Sequence, residues 1–253
     1  MKLHYIPRLV LNYTVYAFLF MGAAVLVGRA AFTGGLSGDK TALTAGVSET
    51  PPPQIVIDPG HGGEDGGAAV GDTLEKDLNL QIAGCLKDMY DLFGIRAEMT
   101  RTEDVMLYDR FDDLEDYRGK KKSYDLRSRL RIAEESGAVL YVGVHMNKFP
   151  QESSKGLQVY YSPNTDESAR AAQITQSYAK KYLDPANGRE TKQATSAIYI
   201  LKRIRIPAVL VECGFLSNAE ERALLETPEY RLKVAAVLFA STGEYLQIQE
   251  KGR

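Results

Sequence analysis

Short, uninterrupted apolar runs alternate along this chain with longer segments whose apolar residues recur at helical spacing. Ile55-Val56-Ile57 stops at the turn Asp58-Pro59-Gly60. Leu78, Ile82, Cys85, Leu86, Met89 and Phe93 then follow a helical period, with Gly94 as a stop. Ile95 to Thr100 alternates as a strand does, and Asp125 is placed to cap a helix ending at Glu135. Val139 to Val144 and Leu157 to Tyr161 read as strands, Ser168 to Tyr182 as a helix, and Ile198 to Leu201 and Ala208 to Val211 as two more strands. Asn218 with Glu221 resembles a capping box, and Thr227-Pro228 opens a last helix toward Tyr245. A wholly apolar strand has no wet side and needs cover on both faces, which the intervening helices supply. The expected fold class is therefore α/β, a mostly parallel sheet of about six strands flanked by helices.

The N-terminal part breaks this pattern. Lys2 and Arg8 precede an uncharged stretch from Leu9 to Gly28, long enough to cross a bilayer as a helix. Residues 1–32 read as a signal peptide or a membrane anchor. The length favours the anchor, and the flanking positive charges place the rest of the chain outside the cytoplasm. Residues 33–53, rich in Gly, Ser, Thr and Ala and ending in Pro51-Pro52-Pro53, read as a flexible linker, and the folded domain is expected over 54–250. A formal net charge of -2 gives no general pull toward nucleic acid. Two cysteines, Cys85 and Cys213, are too few for a disulfide framework and read as buried thiols. Glu103 to Lys122 is a charged insertion, acidic and then basic, and reads as a solvated loop.

The chain has three histidines, of which His4 lies in the N-terminal segment. His61 and His145 each follow an apolar strand, and ligands of open α/β sheets bind beyond the carboxyl ends of the strands. One histidine there is more often structural, but both remaining ones at equivalent places point to a metal. A third run, Ala208 to Val211, leads into Glu212, a carboxylate that is costly to bury unless paired or functional. A salt bridge to Arg203 or Arg205 is the plain alternative; the shared rim favours a catalytic role. A zinc hydrolase site needs a third ligand and an open position for water. Glu64, Asp65 and Glu75 can each supply that ligand, and spacing alone does not choose among them. Asp58 and Asn147 are near enough in sequence to orient the histidines.

The stretches Val56-Ile57-Asp58-Pro59-Gly60-His61-Gly62-Gly63, Leu74-Glu75-Lys76-Asp77, Thr100-Arg101, Val144-His145-Met146-Asn147 and Val211-Glu212-Cys213-Gly214-Phe215-Leu216-Ser217-Asn218 resemble the zinc-dependent N-acetylmuramoyl-L-alanine amidases. The likeness runs from Ile55 to Tyr245. Tyr124-Asp125-Leu126, Arg129 and Ile206-Pro207-Ala208-Val209-Leu210-Val211-Glu212 are closest to the germination-specific branch of spore-forming bacteria. The resemblance implies that His61, Glu75 and His145 bind zinc (Zn2+) and that Glu212 is the catalytic carboxylate. Asn147 and Arg129 stand as candidates for substrate contact. Peptidoglycan is the implied substrate, cut between muramic acid and L-alanine, with a role in spore cortex and, in some relatives, an accessory lipoprotein partner. Lys148 departs from the small residue usual after His-x-Asn. The competing readings are another extracytoplasmic zinc peptidase and a peptidoglycan-binding protein without activity.

Overall fold

The computed structural model describes residues 54–111 and 119–251. The expected N-terminal segment and linker, residues 1–32 and 33–53, lie outside the described residues. Among the described residues no helix is long and apolar enough to cross a membrane.

Strand β1 (Ile55–Pro59) leads through a small hairpin, β2 (Ala69–Val70) and β3 (Thr73–Leu74), into helix α1 (Glu75–Leu92). Strand β4 (Ala97–Met99), helix α2 (Lys121–Glu135), strands β5 (Leu140–Asn147) and β6 (Gln158–Tyr161) and helix α3 (Asp166–Tyr182) follow. The chain closes with β7 (Lys192–Gln193), α4 (Tyr199–Arg203), β8 (Ala208–Phe215), α5 (Ala219–Leu225) and α6 (Pro228–Lys251). The main sheet has six strands in the order β4-β1-β5-β8-β6-β7, and only the β6–β8 pair is antiparallel.

The two faces of the sheet bury different sets of residues. Ile55, Ile57, Val142, Val144, Val209 and Val211 join the core formed with α1, α3 and α6. Val56, Tyr141, Ala208 and Leu210 face the other way, into a smaller core with α2 and α4. This is the cover on both faces that continuous apolar runs require. From β1 the chain moves first to β4 on one side and then to β5 on the other. The strand order thus reverses between β1 and β5, and a crevice at their carboxyl ends is the default ligand site of such a sheet.

Two local expectations are corrected. Ile198 to Leu201 does not form a strand: Tyr199–Arg203 is a short helix whose Ile200 and Leu201 are buried. A short apolar run carries no period, so it fits either state. Asp125 is not a cap. Helix α2 starts at Lys121, and Asp125 lies inside it, accepting from Leu107 N at 2.6 Å and Arg129 Nε at 2.7 Å. Lys121 and Lys122, the last residues of the charged insertion, accordingly lie in the first turn of a helix rather than in a loop. Asn218 does cap α5, accepting from Glu221 N, but the Glu221 carboxylate serves Phe215 N and Gly156 N instead of closing a box. Cys213 is buried and Cys85 half-buried, and both are free thiols.

Candidate active site

His61 sits just past β1, with a backbone φ of 63°. That left-handed conformation is uncommon for a residue with a side chain and turns the imidazole back over the strand ends. The chain passes under the second histidine at Gly60: a Cβ there would fall 2.1–2.7 Å from ring atoms of His145. Gly67 leaves similar room, because its Cβ would meet Glu75 Oε2 at 2.6 Å and His61 at 2.7 Å. Only glycine allows three bulky polar side chains to converge this closely on the backbone.

Glu75 is the first residue of α1 and is buried. Its Oε1 accepts from Met146 N at 3.1 Å and lies 2.9 Å from His145 Nδ1. Its Oε2 accepts from Ala68 N at 2.7 Å and lies 3.3 Å from His61 Nε2. One ligand atom from each of His61, Glu75 and His145 falls within 4.8 Å of the other two. The two rings meet edge to face, with centroids 5.2 Å apart. Burial works against charge on Glu75, but the two histidines hold its carboxyl far below the usual range. Burial would likewise lower His61, yet its contacts with Asp65 and Glu75 raise it to about 9.

The other acids left open by spacing lie elsewhere. Glu64 is exposed and pairs with Lys121 at 2.7 Å. Asp65 faces the opposite ring nitrogen of His61, with Oδ2 2.8 Å from Nδ1, and is itself held by Lys122 at 3.1 Å. A carboxylate on the far nitrogen fixes the tautomer and aim of a ligating imidazole. Asp58 touches neither histidine; it is buried under the site between Thr100, Tyr141 and Arg129.

Glu212 lies within β8, in register with His145 on the neighbouring parallel strand. Their side chains therefore leave the same face of the sheet. The register slips by one residue just beyond this pair, a bulge of the kind often found beside active sites. The Oε2 atom of Glu212 is buried and has no hydrogen-bond partner. The two arginines that could have neutralised it are engaged elsewhere: Arg205 with Glu134 at 2.6 Å, and Arg203 over the Tyr199 ring at 3.9 Å. Burial pushes the Glu212 carboxyl up to about 7; His145 opposes the rise and Glu75 adds to it.

Arg129, a candidate for substrate contact, is buried and faces inward. It donates to Asp58 at 2.6 Å, Asp125 at 2.7 Å and the carbonyls of Pro59 at 2.8 Å and His61 at 2.6 Å. It supports the turn that carries His61. Asn147 is half-buried at the end of β5, and Lys148 is exposed, donating to Ala69 O at 2.8 Å across the rim.

A family model described as N-acetylmuramoyl-L-alanine amidase matches residues 55–241. The chain belongs to the N-acetylmuramoyl-L-alanine amidases. It is 34% identical over 198 residues to the germination-specific N-acetylmuramoyl-L-alanine amidase of Bacillus subtilis, covering 78% of this chain and 81% of that one. Among solved structures it is similar to the CwlD amidase of Clostridioides difficile, determined in complex with the GerS lipoprotein. That likeness has a TM-score of 0.71 and 35% identity, over 77% of this chain and 98% of the other. The amidase AmiC2 of Nostoc punctiforme gives a TM-score of 0.63 at 30% identity, over 76% and 96%. This amidase thus shares its fold with enzymes named for the same activity.

Proposed function

We propose that His61, Glu75 and His145 bind a zinc ion and that Glu212 transfers the proton in hydrolysis of the amide between N-acetylmuramic acid and L-alanine. The observation that carries this reading is the buried, unpartnered Oε2 of Glu212, a residue in register with His145 of a two-histidine, one-carboxylate cluster. That donor set suits zinc with a position left open, and Asp65 supplies the outer carboxylate such sites use. Zinc so held acts as a Lewis acid, making water more acidic and polarising the amide carbonyl.

The protein's own groups do the rest. Glu212 takes a proton from the attacking water as the new C–O bond forms at the lactyl carbonyl. It returns that proton to the alanine nitrogen as the C–N bond breaks, so the stem peptide leaves as a neutral amine. A carboxyl raised toward neutral pH suits both halves of this exchange. Asp65 holds the His61 ring, and Glu75, with its oxygens fixed by Ala68 N and Met146 N, cannot swing away.

The germination-specific relative supports a role in maturing spore cortex, where removal of stem peptides precedes muramic-δ-lactam formation. The same reading places the domain outside the cytoplasm behind its N-terminal hydrophobic segment, and extends to an accessory lipoprotein, as in the solved CwlD complex. Mass spectrometry of muropeptides after incubation with the full-length protein tests the chemistry. Stem peptides with free L-alanine amino ends should be released, and a chelator should stop their release. Glu212→Gln should keep its zinc and lose cleavage, whereas His61→Ala should lose the zinc itself. Equal zinc loss in both variants would contradict the division of roles.

A further inference from the structure

Arg101 is 3% exposed, and its side chain donates four hydrogen bonds to main-chain carbonyls among the described residues. Nε donates to Pro59 O at 2.9 Å and Nη1 to Glu103 O at 3.0 Å. Nη2 donates both to Gly60 O at 3.0 Å and to Lys76 O at 2.9 Å. Those last two residues are the immediate neighbours of His61 and Glu75. A single nitrogen therefore ties the turn carrying one proposed ligand to the helix carrying another. The third is drawn in through Gly60, whose backbone lies directly against the His145 ring.

Burying a cation against neutral carbonyls is costly. Burial, helped by the charge of Arg129, pulls the Arg101 guanidinium down to about 10. What the fold gains is reach, because a planar fork can serve three chain segments at fixed angles and a lysine ammonium cannot. Asn79 adds a second, uncharged tie, with Nδ2 3.1 Å from Gly60 O and 3.4 Å from Glu75 Oε1.

We propose that Arg101 is a positioning residue of the metal centre, which sets the spacing of His61, Glu75 and His145 by tying Gly60 to Lys76 and so governs how tightly the ion is held. The inference rests on the reading of those three side chains as zinc ligands.

The test is the zinc dissociation constant of the full-length protein, measured by competition with a chromophoric chelator and read beside the melting temperature of the metal-free form. Arg101→Lys should bind zinc about 10- to 100-fold more weakly than wild type, the usual scale for losing an outer support of a metal site. Thr242→Val is the control. It removes the hydrogen bond to Tyr90 in the last turn of α1, about 20 Å along the helix from Glu75. It should lower the melting temperature and leave zinc affinity unchanged. Wild-type affinity in Arg101→Lys overturns the proposal, and so does an equal loss of affinity in Thr242→Val. If Arg101→Lys does not fold, Arg101→Gln decides: its affinity must fall, and an unchanged value overturns the idea. His61→Ala, run alongside, reports on the ligands themselves. Undiminished zinc binding there would remove the ligand assignment, a different failure from that of Arg101.

Discussion

With Glu212 in its proposed role, the cost and the use of burial fall on the same atom. A carboxylate oxygen without a partner beneath a rim destabilises the fold, and selection for stability alone would have paired or replaced it. Asp65 shows the opposite arrangement, a carboxylate with partners on both sides, His61 and Lys122. Its work is to hold Nδ1 of His61 so that Nε2 faces Glu75. Asp65→Asn should therefore leave the protein folded but weaken zinc binding by about 10- to 100-fold. Isothermal titration with zinc would show this, and an unchanged affinity would return Asp65 to a purely structural role. The sequence offered Asp65 as one of three candidate ligands and could not tell an inner acid from an outer one. Which ring nitrogen meets which carboxylate depends on the left-handed turn at His61, and no spacing rule encodes that angle.

Elements were legible where clear turn or stop residues bounded an apolar run or where apolar residues recurred at helical spacing. The strands β1, β5 and β8 and the helix α1 could be read from uninterrupted or helically spaced apolar residues, and these are the elements that present the site. The short helix α4 could not be told from a strand, and the start of α2 was hidden because its first turn is all charge and hydroxyl. Arg129, named from the resemblance as a candidate for substrate contact, is held below the rim, and only the fold shows the two buried carboxylates that pair with it. One of them, Asp58, makes the end of β1 sensitive to acid. Burial would raise Asp58, but Arg129, Thr100 and Tyr141 hold it below the usual range. A depressed folded value means that its stabilisation is complete above about pH 4, the ordinary aspartate value, and declines as pH falls through the folded one. Urea unfolding should thus show wild type losing more stability than Asp58→Asn between pH 4 and pH 2. The variant should be weaker by about 3 kcal/mol at pH 7, where Arg129 lacks part of its counter-charge. Parallel losses in the two proteins on acidification would show that Asp58 is not the group responsible.

For the molecule as a whole, the proposed site would be a fastening point as well as a place of reaction. Its side chains come from the end of β1, the start of α1, and the strands β5 and β8, elements separated along the chain and joined mainly through the sheet. An ion that binds only the folded arrangement adds its binding free energy to folding, about 2.7 kcal/mol at a free concentration 100 times the dissociation constant. For a domain of this size each kcal/mol moves the melting temperature by about 2–4 °C, so zinc should raise it by about 5–10 °C. The size of the shift depends on which side chains touch the ion and not on which one moves the proton. Glu212→Gln should accordingly melt with the full zinc-induced shift although it cannot cleave its substrate. His145→Ala should show no shift at any zinc concentration that leaves the unfolded chain unbound. Differential scanning calorimetry of the three proteins, with zinc and then with chelator, separates holding the ion from using it. A full shift in His145→Ala would mean that the ion binds somewhere other than between β1, α1 and β5.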